Sequence, residues 1–564
     1  MLARIFDNHH IYLEQITQGS EESIIDWFSV REPNAFFVKS ELWDGWHRKY
    51  NTVKQRLALP FLNELQTCCD VKGIPLQISD ERPAPKYPAP QPEQITETFL
   101  DGVTLEEYQV RILRAICSEE IGIISATTGS GKTEIMCGIV KMFRCPTVII
   151  TEQIVVLEQI VQRLQLRNVV HNNDIGMFCY GNMPNGNIVI VGSIQSLSTP
   201  TVPKKDKVGV NRKKLLKKVH EWADLQDECL LTVFPRVLAE ALYANPSGAY
   251  QIQGKYYLLL RDYYVEMEYE RQLAAYKTRI TNCRKIQDMV KKSDLMLVDE
   301  CDLATSDQYG MMFRYYFNGR RRYGFSGTPF DSKKQVNNIK LKENLGNIIG
   351  EADRNEVQSA GRIVPVRCYF IGVGVGGDRT DSRAFDIALK EEIEENSEFH
   401  ELVANIPRAF PNDGTLILVD TSVALGVILE SMIPDSKFIF GSTSKPKRRK
   451  VIGQFESREL KCLIGSKILK RGLDLKGGCE NLVIIGGGAK WSEFDQKIGR
   501  AVRLNERGWS RVFSFFFFNN KYLYKHSKEN LKAAIDMGYP TKVIVNDREL
   551  DGAGFVRSQF RIPK

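Results

Sequence analysis

The chain lacks an apolar run approaching the roughly 18 residues that a membrane-spanning helix needs. Its longest candidates, around Val512–Phe518 and Leu482–Ile485, have the length of strands. No membrane partner is expected. Residues 1–15 mix Asp7, His9, His10 and Glu14 among apolar residues, so no secretory leader is expected and the predicted location is the cytoplasm. No C-x-x-C pair occurs among the twelve cysteines, and the seven histidines show no ligand spacing with them. That predicts reduced, buried thiols and no structural zinc. There is no repeat of fixed period and no long low-complexity tract. The net charge is small, 77 Lys+Arg against 69 Asp+Glu, and does not by itself identify a polyanionic partner.

What is present is unevenly placed. Residues 1–100 carry ten basic and fourteen acidic side chains. Basic residues gather at Lys204–Lys218 and again at Lys445–Lys450, either as solvated loops or as phosphate contacts. Five prolines in Arg82–Glu93 predict a semi-rigid, extended linker after a small domain. Beyond it, β-type runs alternate with helix-period segments. Ile121–Ser125, Thr147–Ile150, Ile188–Val191, Leu295–Val298 and Tyr323–Phe325 form one series. Val366–Ile371, Thr415–Val419, Lys437–Phe440, Cys462–Ile464, Leu482–Ile485 and Val512–Phe518 form a second. Alternation of this kind predicts two α/β domains with parallel sheets. Thr199–Ser293 breaks the rhythm and reads as an insertion, helical over Tyr264–Lys292.

The first strand runs into Ala126-Thr127-Thr128-Gly129-Ser130-Gly131-Lys132-Thr133, and a helix is expected to follow. Glycines there let backbone N–H groups face an anion at a helix N-terminus. Thr128, Gly129, Ser130 and Gly131 would cradle phosphates. Lys132 would reach the β- and γ-phosphates, and the Thr133 hydroxyl would ligand Mg²⁺. Leu295–Val298 ends in Asp299-Glu300-Cys301-Asp302, where ligands bind at the C-terminal edge of a parallel sheet. Asp299 would hold Mg²⁺ and Glu300 would orient or deprotonate the attacking water. Near the end, Gln496-Lys497-Ile498-Gly499-Arg500-Ala501-Val502-Arg503 sets two arginines three apart on one helical face. Such a pair can fork onto a triphosphate held by another domain. The expected cofactors are ATP and Mg²⁺.

In this order the motifs resemble those of superfamily 2 helicases and translocases over about residues 100–530. The resemblance implies two tandem RecA-like parallel-sheet domains, with a small N-terminal α+β domain and a helical insertion in the first RecA-like domain. The expected boundaries are 1–81 for the N-terminal domain, 82–95 for the linker, 96–332 for the first motor domain with its insertion at about 200–292, and 333–564 for the second. Tyr108-Gln109 is similar to the adenine-reading Q motif, which implies Gln109 as the base contact. Thr151–Leu157 and Gly192–Leu197 resemble strand-tracking motifs, implying nucleic-acid contacts at Gln195 and Ser196. Ser326-Gly327-Thr328-Pro329 resembles the motif that couples hydrolysis to domain movement, through Ser326 and Thr328. Leu416–Thr421 resembles motif IV, and Ser466–Asp474 resembles motif V, implying Ser466 at nucleic acid and Asp474 at nucleotide. Gln496–Arg503 resembles motif VI, with Gln496 in the catalytic set and Arg500 and Arg503 as arginine fingers.

Two features resemble UvsW-type phage helicases: the run Asp299–Thr305, where the family usually has His at the position of Asp302, and the segment Trp43-Asp44-Gly45. That resemblance implies branched or duplex DNA as partner, and the host cytoplasm for a phage-encoded protein. The implied activities are fork regression, branch migration or D-loop unwinding. Arg48, Lys49, Lys54 and Arg56 offer a phosphate-contacting patch, while core packing is expected for at least one of Trp43 and Trp46. The alternatives are an RNA helicase and a nucleotide-switched DNA clamp without productive unwinding.

Overall fold

A computed structural model describes the chain except residues 34–42, 153, 180–182, 185–187, 198–199, 201, 208–254, 332–333, 379, 467–474, 476, 487–496, 500–502, 547, 553 and 556–564. Residues 1–179, 184–194 and 291–564 form one compact unit, and residues 180–183 and 195–290 a second.

The first unit holds two large sheets. Strands such as Thr147–Thr151, Leu295–Asp299 and Arg321–Ser326 are buried along their whole length, as the continuous apolar runs of a covered parallel sheet require. The first sheet has seven parallel strands in the order Ile348–Ala352, Ile121–Ala126, Arg321–Ser326, Leu295–Asp299, Thr147–Thr151, Val189–Ser193 and Ile175–Phe178. The second has eight, in the order Ser436–Ile439, Cys462–Gly465, Thr415–Val419, Asn481–Ile485, Ser510–Phe517, Val366–Val373, Thr541–Val545 and Arg548–Asp551. Only its last pair is antiparallel. This is the doubly wound, tandem RecA-like architecture.

The first sheet continues past the expected boundary at residue 332. Ile348–Ala352 pairs in parallel with Ile121–Ala126, so the first sheet takes in residues up to Ala352. The strand carries two half-buried isoleucines, then Gly350 and Glu351, and only Ala352 is fully buried. That edge position, with little apolar signal, hid it from the hydrophobic pattern.

The N-terminal part is a mixed four-stranded sheet, Arg56–Ala58, His10–Glu14, Leu2–Ile5 and Gln77–Asp80, backed by helices Gln18–Trp27 and Leu62–Lys72. A two-stranded ribbon, Ser29–Arg31 with Trp46–Arg48, lies beside it. Trp46 is exposed and Trp43 half-buried, against the expectation that one of them packs in the core. The ribbon meets the core of Ala3, Ile11, Phe28, Phe61 and Leu65 through Val30, whereas Trp43 donates its indole N–H to the Trp46 carbonyl at 3.1 Å.

The N-terminal part is pinned to the elements of the first sheet and its helix Gln335–Leu345. Glu64 pairs with Lys342 at 2.7 Å, and Lys49 pairs with Glu343. The Arg322 guanidinium, buried in the first sheet, donates to the Asn8 carbonyl at 3.0 Å. The Pro-rich linker is likewise held at its start, where Arg82 bonds Asp80, Asn8 and Glu120.

In the second unit, helix Lys255–Lys292 covers the expected helical stretch. Near its end Gln287 donates to the Leu197 carbonyl at 3.1 Å. Of the basic run Lys204–Lys218, only Lys204, Lys205 and Lys207 lie within the described residues, and Lys205 pairs with Glu266. No helix among the described residues is long and apolar enough to cross a membrane.

Candidate nucleotide site

Strand Ile121–Ala126 delivers the loop Thr127–Gly131 to the edge of the first sheet, and helix Lys132–Phe143 leaves it. Gly129 and Gly131 take φ values of +88° and +77°, the left-handed region that glycine occupies without strain. Neither has room for a side chain. A Cβ on Gly131 would stand 2.4 Å from Gln109 Nε2, and one on Gly129 would stand 2.4 Å from Ile363 Cγ2.

The loop is clamped from below. Tyr108 Oη and Gln109 Nε2 both donate to the Ser130 carbonyl, at 2.9 and 2.8 Å, while Gln109 Oε1 accepts from the Glu106 N–H at 2.9 Å. Gln109 is only 4% exposed, so the structure places it under the loop, bonding backbone through both ends of its amide. The first turn of the loop helix is fixed as well. Glu134 forms a two-pronged pair with Arg167 at 2.8 and 2.9 Å, and Arg167 also donates to the carbonyls of Asp101 and Gly102. Sequence reasoning missed Glu134 and Arg167. The signal was an acidic residue in the first turn of a phosphate-loop helix, too common to single out.

Across the loop, Leu295–Asp299 delivers the carboxylates. Glu300 sits at φ +51°, ψ +51°, a strained conformation for a non-glycine residue, directly after the strand. Burial and the neighbouring Glu300 carboxylate raise the Asp299 pKa, against the opposing pull of Lys132. Asp302 is pushed up to about 6 by burial and Glu300, with the Ser326 hydroxyl bond acting the other way. Burial presses on the Lys132 ammonium, but Glu300, Asp299 and Asp302 outweigh it and hold its pKa above the usual range. The acidic run thus favours the charged form of Lys132.

Ser326 Oγ donates to Asp302 Oδ1 at 2.9 Å and accepts from the Thr328 N–H at 3.2 Å. Of the two expected coupling residues, Ser326 meets the acidic run directly and Thr328 is bonded to Ser326. From the second sheet, Gly499 comes up against the loop: a Cβ there would lie 2.9 Å from Thr128 Cγ2. Beside it Lys497, 1% exposed, pairs with Asp420 at 2.5 Å, a buried anchor at the end of strand Thr415–Val419 that the sequence reading did not single out.

Arg500, Gln496 and Asp474 lie outside the described residues; Arg503 is described and half-buried. Ser466 follows strand Cys462–Gly465, where its N–H donates to the Ile439 carbonyl. Gln195 and Ser196 lie in a short turn after strand Val189–Ser193, Gln195 exposed and Ser196 half-buried. Arg48 is exposed and pairs with Asp44 at 2.6 Å, whereas Lys49 is spent on Glu343.

The donor set fits a magnesium nucleotide. Two glycines whose Cβ positions are filled bring backbone to an anion, a charged lysine follows, and carboxylates with raised pKa values want a cation. Thr133 and Asp299 would hold Mg²⁺, which when bound neutralises charge on the phosphates.

Such a site between tandem parallel sheets defines a nucleotide-driven motor of the helicase type. Comparison with known families agrees: residues 102–229 match the family described as type III restriction enzyme, res subunit, and residues 399–505 match the helicase conserved C-terminal domain. The chain resembles superfamily 2 helicases, the UvsW type among them, and its helicase domains imply ATP-dependent action on nucleic acid. Among solved structures it is similar to UvsW of bacteriophage T4, with 12% identity, a TM-score of 0.39 and coverage of 96% of this chain and 98% of that one. It is similar also to a putative HsdR subunit of a type I restriction enzyme from Vibrio vulnificus (14%, TM-score 0.47, 90% and 79% covered). A third is Dbp5 of S. cerevisiae bound to RNA and ADP BeF3 (14%, TM-score 0.46, 78% and 90% covered). A comparison with curated proteins found no match.

Proposed function

We propose that the protein is an ATP-dependent DNA helicase or translocase acting on branched or duplex DNA, in branch migration, fork regression or D-loop unwinding. The observation that supports the motor reading is the meeting of Thr128 in the phosphate loop with Gly499, a residue that follows the second sheet's strand Asn481–Ile485 in the chain. Lys132 and the loop N–H groups bind the phosphates, and Glu300 orients and deprotonates the attacking water. Arg500 and Arg503 complete the site from the other domain. Loss of the γ-phosphate removes what both domains grip, so the cleft loosens on each turnover and steps two strand-facing surfaces along a backbone.

The DNA reading is supported by the N-terminal part. Trp46 is 38% exposed on a ribbon that also carries Arg48, with the exposed Lys54 on the same small domain. An exposed tryptophan among basic residues suits stacking on bases or duplex ends beside phosphates. The ion pairs of Lys49 and Lys342 fix that domain to the first motor domain, so its contacts would move with the motor.

The test is the stimulation of ATP hydrolysis by a four-way junction, linear duplex, single-stranded DNA and RNA at matched phosphate concentration. The junction and duplex are expected to stimulate most. Preferential stimulation by RNA would replace the DNA reading with an RNA helicase.

A further inference from the structure

The segment that joins the two sheets, from Asp353 to Pro365, touches the nucleotide loop itself. Its short helix Arg354–Ser359 is capped by the Asp353 side chain. Glu356 then forms a two-pronged pair with Arg111 at 2.6 and 2.9 Å, and Arg111 also donates to the Glu351 carbonyl. Arg362 pairs with Glu106 at 2.6 Å. Both partners belong to the helix that carries Tyr108 and Gln109, or to its cap. On the other side, the Arg354 guanidinium stacks 3.4 Å from the centroid of Tyr539, just before strand Thr541–Val545 of the second sheet. Met537 joins Arg354, Thr127 and Thr328 around a cavity of about 260 Å³.

Ile363 stands at the centre of this arrangement. It is 3% exposed, and its Cγ2 methyl fills the space that a Cβ on Gly129 would need. Tyr108 and Gln109 brace the loop at the Ser130 carbonyl, and Ile363 braces it at Gly129. Ile363 alone of them leads straight into the second sheet, through Val364 and Pro365 to Val366. A buried methyl against backbone transmits displacement stiffly, because close-packed interiors are barely compressible.

We propose that Ile363 is a positioning residue for the phosphate loop, and that the Asp353–Pro365 strap transmits movement of the second motor domain to Gly129. The inference rests on the nucleotide-site reading above, and it assigns the strap a role in nucleotide affinity that packing alone does not. The Cγ2 methyl holds the loop in the conformation whose N–H groups converge on phosphate. Its removal lets the loop relax and weakens nucleotide binding before any bond is broken.

The test uses the full chain and titrates a fluorescent ATP analogue into Ile363→Val, which keeps the Cγ2 branch, and Ile363→Leu, which keeps the volume but not that methyl. Val403→Ala, a buried change in the second domain, serves as a packing control. Ile363→Leu is expected to weaken binding about five- to tenfold, with Ile363→Val within about twofold of the unsubstituted chain. Val403→Ala is expected to lower the melting temperature without changing affinity. Equal affinity in Ile363→Leu and the unsubstituted chain, or equal weakening in Val403→Ala, would overturn the proposal. Failure of the unsubstituted chain to bind the analogue would overturn the nucleotide site, and the strap's role with it.

Discussion

Ser326 Oγ donates to Asp302 Oδ1 at 2.9 Å and so ties the turn after one strand of the first sheet to the acidic run after its neighbour. Asp302 stands where the resembling family usually has histidine, and the bond shows how a carboxylate serves there: it accepts from the same hydroxyl that receives the Thr328 N–H. Nothing else in the run is anchored to that turn among the described residues. Asp302→Ala should therefore uncouple the motor. Strand displacement per ATP is expected to fall about tenfold while hydrolysis changes by less than about threefold, since one hydrogen bond to a charged group is lost. Asp302→Asn keeps an acceptor and should retain coupling. Paired ATPase and strand-displacement assays check this.

Asp302 also supplies a pH signature in the nucleotide-free protein. Its pKa of about 6 lies above the value of an unfolded aspartate, so the folded state binds the extra proton between those values. That stabilisation is present at low pH and is lost as pH rises through 6. Asp302→Asn should raise the melting temperature most at pH 8, less at pH 5, and do little only below about pH 4.

Glu300, Asp299 and Asp302 hold the Lys132 pKa above its ordinary value, favouring its charged form. Lys132→Ala should lower ATP turnover by at least about 100-fold while leaving circular dichroism unchanged, because a preorganised charge in a dry site is lost. Normal turnover stimulated by nucleic acid in that variant would remove the phosphate-loop assignment. Arg500→Ala should keep nucleotide binding and lose turnover by about 1000-fold.

Gln109 spends both ends of its amide on backbone, one on the loop and one on its own helix cap. Gln109→Ala is expected to raise KM for ATP and GTP together, by about tenfold, because the loop it braces serves any triphosphate. A loss confined to ATP would make Gln109 a reader of adenine.

His9 reports on the docking of the N-terminal part. Burial and the Arg322 guanidinium lower its pKa, against Asp7 and a 3.2 Å contact of its Nε2 with Asn318 Oδ1; the neighbouring His10 lowers it further. The unfolded chain takes up this proton near pH 6.5 and the folded chain only at lower pH, so stability falls as pH drops through that window. His9→Gln, which can still donate to Asn318, should lose less melting temperature between pH 7.5 and 5.5 than the unsubstituted chain.

Much of this was legible because apolar runs and glycine spacing are local signals. Thr415–Val419 is a strand from end to end as expected, and Gly129 and Gly131 take the backbone conformations their spacing called for. What escaped was set by partners distant in sequence. Ile348–Ala352 is a strand because Ile121–Ala126 offers it an edge, and its own residues barely advertise it. Lys49 looked like a free phosphate contact until Glu343, nearly three hundred residues on, claimed it. Gln109 was expected at a nucleobase, and only the fold reveals the Ser130 carbonyl beside it. Lys497 and Asp420, Glu134 and Arg167 follow the same rule: pairs that position a site leave no spacing to read.

The central claim is that hydrolysis at Lys132 and Glu300 drives movement along DNA. The most direct measurement is branch migration of a synthetic four-way junction by the full chain with ATP and Mg²⁺, beside Glu300→Gln and a non-hydrolysable analogue. The account predicts junction resolution by the unsubstituted chain with ATP and none in the other two, although all three bind the junction. Resolution that proceeds equally with the analogue, or binding and hydrolysis with no movement, would contradict it.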